Sequence, residues 1–242
     1  MITSLIDTHF HLDFYQNHNE IYKVINENKQ YTLCMTNSPG VYLSCKNLYP
    51  ETKYLKFALG FHPLETSLKD EDFNHFIKMA KNVNYIGEVG LDFRSAKSLD
   101  VKNQLYYFER IVELCAKENK LLSVHIKGAE KELIEFISKY KPLKCIVHWY
   151  GGSTKHLRDL IKLGCYFSVN SNMTLNTQSL QRLKSIPDER ILIESDGPFS
   201  KVNGKKYHPK LLIDIYTSIA MARNDKDLVK QVYNNFKTIL IL

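Results

Sequence analysis

Six side chains able to hold divalent metal ions stand at the ends of apolar runs along this chain: His9, His11, Glu88, His125, His148 and Asp196. His9 and His11 are two residues apart, and on an extended chain such residues project to one side. Two imidazoles at that spacing can grip one cation from a single strand. Ring nitrogens suit zinc or manganese, and carboxylate oxygens also admit magnesium. Four histidines and two carboxylates exceed what one tetrahedral ion needs. They suit two divalent ions bridged by a carboxylate, a pair that can clamp both the attacking and the leaving oxygen of a hydrolysed bond. A lone strand-end histidine is more often a hydrogen-bonded structural residue, so His-x-His alone is weak. His18, His75, His156 and His208 are assigned no metal. Six such groups at matching ends of a regular strand pattern are hard to obtain by chance.

Positioning them calls for a parallel barrel. Eight apolar runs predict strands over 4–9, 31–36, 54–60, 85–88, 121–125, 144–149, 165–169 and 190–194. Their continuous apolar character fits strands covered on both faces. Helical spacing predicts helices between them over 70–81, 100–119, 129–140 and 153–162, and one helix through 211–236. In 100–119 the stripe is Val101, Leu105, Phe108, Ile111, Val112 and Cys115. Eight strands alternating with helices predict an α/β fold, a single (β/α)8 TIM barrel forming one domain over 1–242. An open doubly wound sheet is the alternative, but it would usually carry a glycine-rich first turn, and residues 7–13 contain no glycine. In a barrel the C-terminal strand ends share the active face. His62, at the end of the third strand, and Asp92, after the fourth, join the six there.

With 242 residues, 44% hydrophobic and 24% charged, the chain can bury a sizeable core. Its net charge of +7 would suit an anionic partner, although lysine-rich proteins that bind nothing anionic are common. Five cysteines, an odd number with no Cys-x-x-Cys pair, argue against a disulfide framework and for a reducing compartment. The first residues show no signal-peptide pattern, and no apolar run approaches membrane-spanning length. A cytoplasmic protein without a membrane partner is expected.

The motifs in order resemble the TatD family of metal-dependent deoxyribonucleases, within the amidohydrolase-like barrel superfamily. They are Asp7-Thr8-His9-Phe10-His11-Leu12-Asp13, Gly60-Phe61-His62-Pro63, Gly87-Glu88-Val89-Gly90-Leu91-Asp92-Phe93, Val124-His125, His148-Trp149-Tyr150-Gly151-Gly152-Ser153 and Glu194-Ser195-Asp196-Gly197-Pro198-Phe199. The stretch from Gln104 to Glu118 resembles the family helix between the fourth and fifth strands. The resemblance implies that His9, His11 and Asp196 hold one ion, that His125 and His148 hold the second, and that Glu88 bridges them. It implies that Asp196 also orients or deprotonates the attacking water, and that His62, Asp92 and Arg94 line a substrate pocket. Lys127 stands where the family often has arginine, keeping the charge but losing the bidentate fork. Residues 201–209 are lysine-rich and lack the usual Arg-Asn-x-Pro-like segment, and the tail is short.

These features lead to phosphodiester hydrolysis by a metal-activated water, with single-stranded DNA digested from its 3′ end as the substrate the resemblance implies. Arg94, Lys127, Lys155, Lys201, Lys205 and Lys206 fall in expected active-face loops and could meet flanking phosphates. Phe10, Phe61, Phe93, Trp149, Tyr150 and Phe199 could stack bases or pack the barrel mouth. Three alternatives stay open. One keeps the metals and cleaves amides, esters or D-aminoacyl-tRNA. Another is a metal-stabilised binding subunit, which a missing ligand would favour, and none is missing. The last is a TatD-like subunit of a multi-gene, Qat-type anti-phage system with other subunits as protein partners, compatible with the short tail and the 201–209 loop.

Overall fold

The computed structural model describes residues 4–242. Its strands are β1 (Ile6–Phe10), β2 (Tyr31–Cys34), β3 (Leu55–Phe57), β4 (Leu59–Phe61), β5 (Tyr85–Asp92), β6 (Leu121–Lys127), β7 (Cys145–His148), β8 (Tyr166–Val169) and β9 (Ile191–Ile193). All pair in parallel, in the orders β1-β2-β3 and β4-β5-β6-β7-β8-β9. β3 and β4 are halves of one stave parted at Ala58, the first pairing with β2 and the second with β5. Nine segments thus make the eight expected staves.

Backbone hydrogen bonds join the two arcs at both seams. On one side Ala58 N donates to Cys34 O at 2.8 Å and Glu88 N to Thr36 O at 2.9 Å. On the other, Asp196 N donates to His9 O at 2.8 Å and His11 N to Gly197 O at 2.8 Å, beside a parallel bridge between Phe10 and Gly197. The arrangement is the TIM-barrel fold, with buried strands wrapped by helices. The first seam requires glycine at position 60, where a Cβ would lie 1.5 Å from Thr36 O.

The wrapping helices are α1 (His18–Glu27), α2 (Pro39–Leu48), α3 (Asp70–Ala80), α4 (Val101–Lys117), α5 (Glu130–Tyr140), α6 (Thr154–Lys162), α7 (Thr177–Ser185), α8 (Leu212–Arg223) and α9 (Leu228–Ile241). Asp100 caps α4 by accepting from Asn103 N at 3.0 Å, and Ser153 caps α6 by accepting from His156 N at 3.1 Å. Each such cap contributes about 1 kcal/mol. Phe108, Ile111, Val112 and Cys115 of α4 are buried as their spacing predicts, whereas Val101, in the first turn, is half exposed.

Two expectations change. The tail is two helices rather than one, because Asn224 adopts a left-handed conformation (φ 54°) that ends α8. Asparagine tolerates that conformation better than most residues. The 201–209 segment is not all loop: Lys201–Val202 (β10) and Lys205–Lys206 (β11) form an antiparallel hairpin. Its turn is Asn203-Gly204, both at positive φ (51° and 75°), the pair a tight hairpin turn favours. The last helix is also anchored. Asn235 Nδ2 donates to Asp188 O at 2.7 Å and Ile191 O at 2.8 Å, tying α9 to the start of β9.

Candidate active site

Alternation along each strand decides what points inward. β5 brings Glu88 to the centre of the C-terminal end, and five imidazoles surround it. Glu88 Oε2 lies 3.3 Å from His9 Nε2 and 3.2 Å from His11 Nε2. Its Oε1 lies 3.1 Å from His62 Nε2, 2.9 Å from His125 Nδ1 and 2.9 Å from His148 Nε2. Asp196 Oδ1 stands 3.6 Å from His11 Nε2 and 3.9 Å from His9 Nε2. All seven side chains are buried. Gly90 allows this convergence: at φ 152°, it has no room for a Cβ, which would lie 1.9 Å from His125 O on the adjacent strand. Asp196 itself sits at φ 49°, a conformation that costs a non-glycine residue about 1–3 kcal/mol and recurs at functional sites.

Burial and mutual charge pull these groups apart. Burial alone would raise Glu88, but His62, His148, His9 and His11 outweigh it and hold the carboxyl well below its usual range. Burial, with His148 beside it, drives His9 well down despite Glu88. His148 goes the other way: Glu88 and Glu194 overcome its burial. Burial pushes Asp196 up to about 7, against the pull of His148 and His11 and with Glu88 and Glu194 adding to the rise.

The donor set fits metal ions. His9 Nε2 faces His11 Nε2 at 3.2 Å, and His148 Nε2 faces His125 Nδ1 at 3.4 Å, so ring nitrogens are set against each other around a carboxylate. Three overlapping buried groups converge closely enough to share an ion: His9 with His11 and Asp196, His9 with Glu88 and His148, and His62 with Glu88 and His125. Imidazole nitrogen with carboxylate oxygen is the chemistry zinc and manganese accept.

A second layer orients these rings, and of its members the sequence singled out Asp92 alone, as a substrate-pocket residue. Ser123 Oγ lies 3.1 Å from His9 Nδ1, and Asp92 Oδ2 lies 3.0 Å from His125 Nε2. Glu194 Oε2 is 3.6 Å from His148 Nδ1, while its carboxylate accepts from Ser168 Oγ and, at 2.9 Å, from Asn170 Nδ2. Asp7 accepts from Ser195 N at 2.8 Å and Ser195 Oγ at 2.6 Å, holding the Asp196 turn against β1. Gln104 of α4 clasps the end of β5, its Oε1 accepting from Asp92 N at 2.7 Å and its Nε2 donating to Asp92 O at 3.1 Å.

A cavity of about 610 Å³ opens over Glu88. His62 and Lys127 line it. Asp92 does not, because it lies behind His125, and neither does Arg94, whose side chain lies over Gly128. Among the aromatic candidates, Phe10, Phe61 and Tyr150 are fully packed in the core and have no free face for a base. Trp149 lines the cavity. Phe199 is exposed at its rim with Phe14, which the sequence reading passed over. Their centroids are 4.8 Å apart, and both rings stand edge to face with His11.

A family model described as TatD related DNase matches residues 6–240. The chain belongs to this family. Over 241 residues the TatD family member is 25% identical to an uncharacterized metal-dependent hydrolase of Methanocaldococcus jannaschii, covering 95% of this chain and 94% of that one. It is 28% identical over 172 residues to the deoxyribonuclease Tat-D of Schizosaccharomyces pombe, covering 70% of this chain and 53% of that protein. Among solved structures, the TatD homologue YJJV from Escherichia coli superposes with a TM-score of 0.88 at 18% identity, covering 99% of this chain and 98% of that one. The TatD family member is a metal-dependent hydrolase with this barrel fold. Among the described residues, no helix is long and apolar enough to cross a membrane.

Proposed function

We propose that this chain, as one barrel domain, hydrolyses phosphodiester bonds of single-stranded DNA from the 3′ end, using two divalent ions of the magnesium, manganese or zinc class. The observation that carries the reading is the Glu88 carboxylate, each of whose oxygens faces at least two ring nitrogens within 3.3 Å. A carboxylate so placed suits a bridge between two ions. His9, His11 and Asp196 would hold an ion on one side, and His125 and His148 would hold one on the other. When bound, the ions would lower the pKa of a water and offset charge on the phosphoryl oxygens.

The protein side chains do the rest. Asp196, buried at the cavity over Glu88 with its carboxylate 3.6 Å from His11 Nε2, is placed to accept a proton from the attacking water. His62, on the cavity wall, positions the phosphate. Lys127 supplies positive charge at the mouth, and the hairpin lysines Lys201, Lys205 and Lys206 extend it along the substrate path. Phe14 and Phe199 offer exposed ring faces for unpaired bases, which favours a single strand over a duplex. All five cysteines are free and buried, which agrees with a cytoplasmic setting.

The test strips the protein of metal, restores magnesium, manganese or zinc, and supplies end-labelled single-stranded DNA. Metal-dependent shortening from the 3′ end is expected, with Asp196→Asn slower by several orders of magnitude. Equal digestion by both proteins would overturn the reading. A small neutral ester or amide cleaved in preference to DNA, with little salt dependence, would redirect it to the other bond classes.

A further inference from the structure

The other end of the barrel is also open. The N-terminal ends of β2, β3 and β5, with α9 across them, enclose a cavity of about 280 Å³. It shares no lining residue with the cavity over Glu88. Between the two lies a small buried cluster of Leu33, Met35 and Ala58, with Tyr85 packed against it. Tyr85 and Glu88 are three residues apart on β5, so the cavities approach within roughly 10 Å through the barrel interior.

Its walls are aromatic. Tyr31, Tyr54, Tyr85 and Tyr233 line it, with Phe236 beside them. All four are partly buried, and among the described residues their hydroxyls make no hydrogen bond to protein. They form a wall of rings with polar edges, the kind of surface that holds a flat ligand by its face and hydrogen-bonds its rim.

The rim is cationic. Lys53, Lys56 and Lys237 surround the opening. Lys56 is 3.9 Å from Glu51 Oε2, an atom already 3.0 Å from Lys46. Among the described residues Lys53 and Lys237 pair with no carboxylate, and Lys53 Nζ stands 5.7 Å from the centre of the Tyr54 ring. Lys53 and Lys237 thus bring positive charge without a carboxylate partner to the aromatic wall, beside a Lys56 that faces Glu51.

We propose that this cavity is a second ligand site, taking a planar aromatic ring that carries an anionic group, the chemistry of a nucleoside monophosphate. The ring lies among the tyrosines, and the phosphate meets Lys53 and Lys237 at the mouth. The site stands apart from the hydrolytic reading, because none of its residues takes part in that chemistry.

Calorimetric titration of the metal-loaded protein with adenosine 5′-monophosphate tests it. Adenosine alone and inorganic phosphate alone should each bind at least tenfold more weakly, since each offers half of the recognised chemistry. The double variant Lys53→Gln/Lys237→Gln alters two exposed side chains and should weaken the monophosphate at least tenfold. Lys127→Gln, on the other cavity, should leave this binding unchanged. Three results would overturn the proposal: no binding up to millimolar concentration, undiminished binding by the double variant, or inorganic phosphate matching the nucleotide.

Discussion

Asp92 Oδ2 stands 3.0 Å from His125 Nε2, on the far side of the ring from Glu88 Oε1, which is 2.9 Å from Nδ1. A carboxylate behind a metal-binding imidazole fixes its tautomer and raises its basicity, and removing such a partner lowers metal affinity about 10- to 100-fold. Asp92→Asn should therefore weaken metal binding by that factor without changing the circular dichroism of the fold. Competition against a chromophoric chelator measures it, and unchanged affinity would remove His125 from the ligand set.

The same carboxylate predicts an acid response. Burial would raise Asp92, but His125 and the amides of Arg94 and Ser95 outweigh it and lower the group to about 2. A depressed carboxylate stabilises the fold above its unfolded pKa of about 3.9, and that contribution is lost as pH falls toward the folded value. Discounted for solvent screening, the effect is about 1 kcal/mol. In metal-free protein, the stability gap between wild type and Asp92→Asn should shrink by that much between pH 5 and pH 2. Urea midpoints at the two pH values would show it.

Gly60 gives a packing test. An added Cβ would lie 1.5 Å from Thr36 O and 2.9 Å from Glu88 N, both backbone atoms that cannot swing aside. Gly60→Ala should cost at least about 3 kcal/mol in denaturant unfolding. Gly151→Ala, which meets nothing within 4 Å, should stay within about 0.5 kcal/mol of wild type. Equal stability of the two variants would mean that the seam between β2 and β5 is looser than described.

Phe199 separates polymer binding from chemistry. Stacking one base on an aromatic ring is worth about 1–3 kcal/mol. Phe199→Ala should raise KM for single-stranded DNA about 5- to 150-fold, with kcat on a small phosphodiester such as bis-p-nitrophenyl phosphate nearly unchanged. Parallel loss on both substrates would instead assign the ring to supporting His11.

The staves and six inward-pointing donors were legible because apolar runs and strand-end positions carry their own signal. The supporting layer was equally written and was passed over. Asp7 precedes His9 by two residues, Ser123 precedes His125 by two, and Glu194 precedes Asp196 by two, so strand alternation puts each on the inward face, although it does not tell that Ser123 meets His9 or that Glu194 meets His148 on another strand. His62 was read as a pocket residue, yet its ring nitrogen is about as near Glu88 as any other. Nothing in a strand pattern fixes such a distance. Asn203-Gly204 announced the hairpin by type and spacing. The break at Asn224 was harder to see, because apolar residues recur at helical spacing on both sides of it. Phe10, Phe61 and Tyr150 were open to two readings, since a large aromatic at a strand end serves core or mouth equally well until its neighbours are known.

The barrel seam runs through the candidate site, because Asp196 N is bonded to His9 O and Asp7 holds Ser195 across 188 residues of sequence. The earliest and latest staves to leave a ribosome must therefore meet before the full donor set exists. A chain cut ahead of β9 lacks Asp196 and the bonds that close this seam, so the full set of six side chains assembles only once the two ends of the barrel have joined.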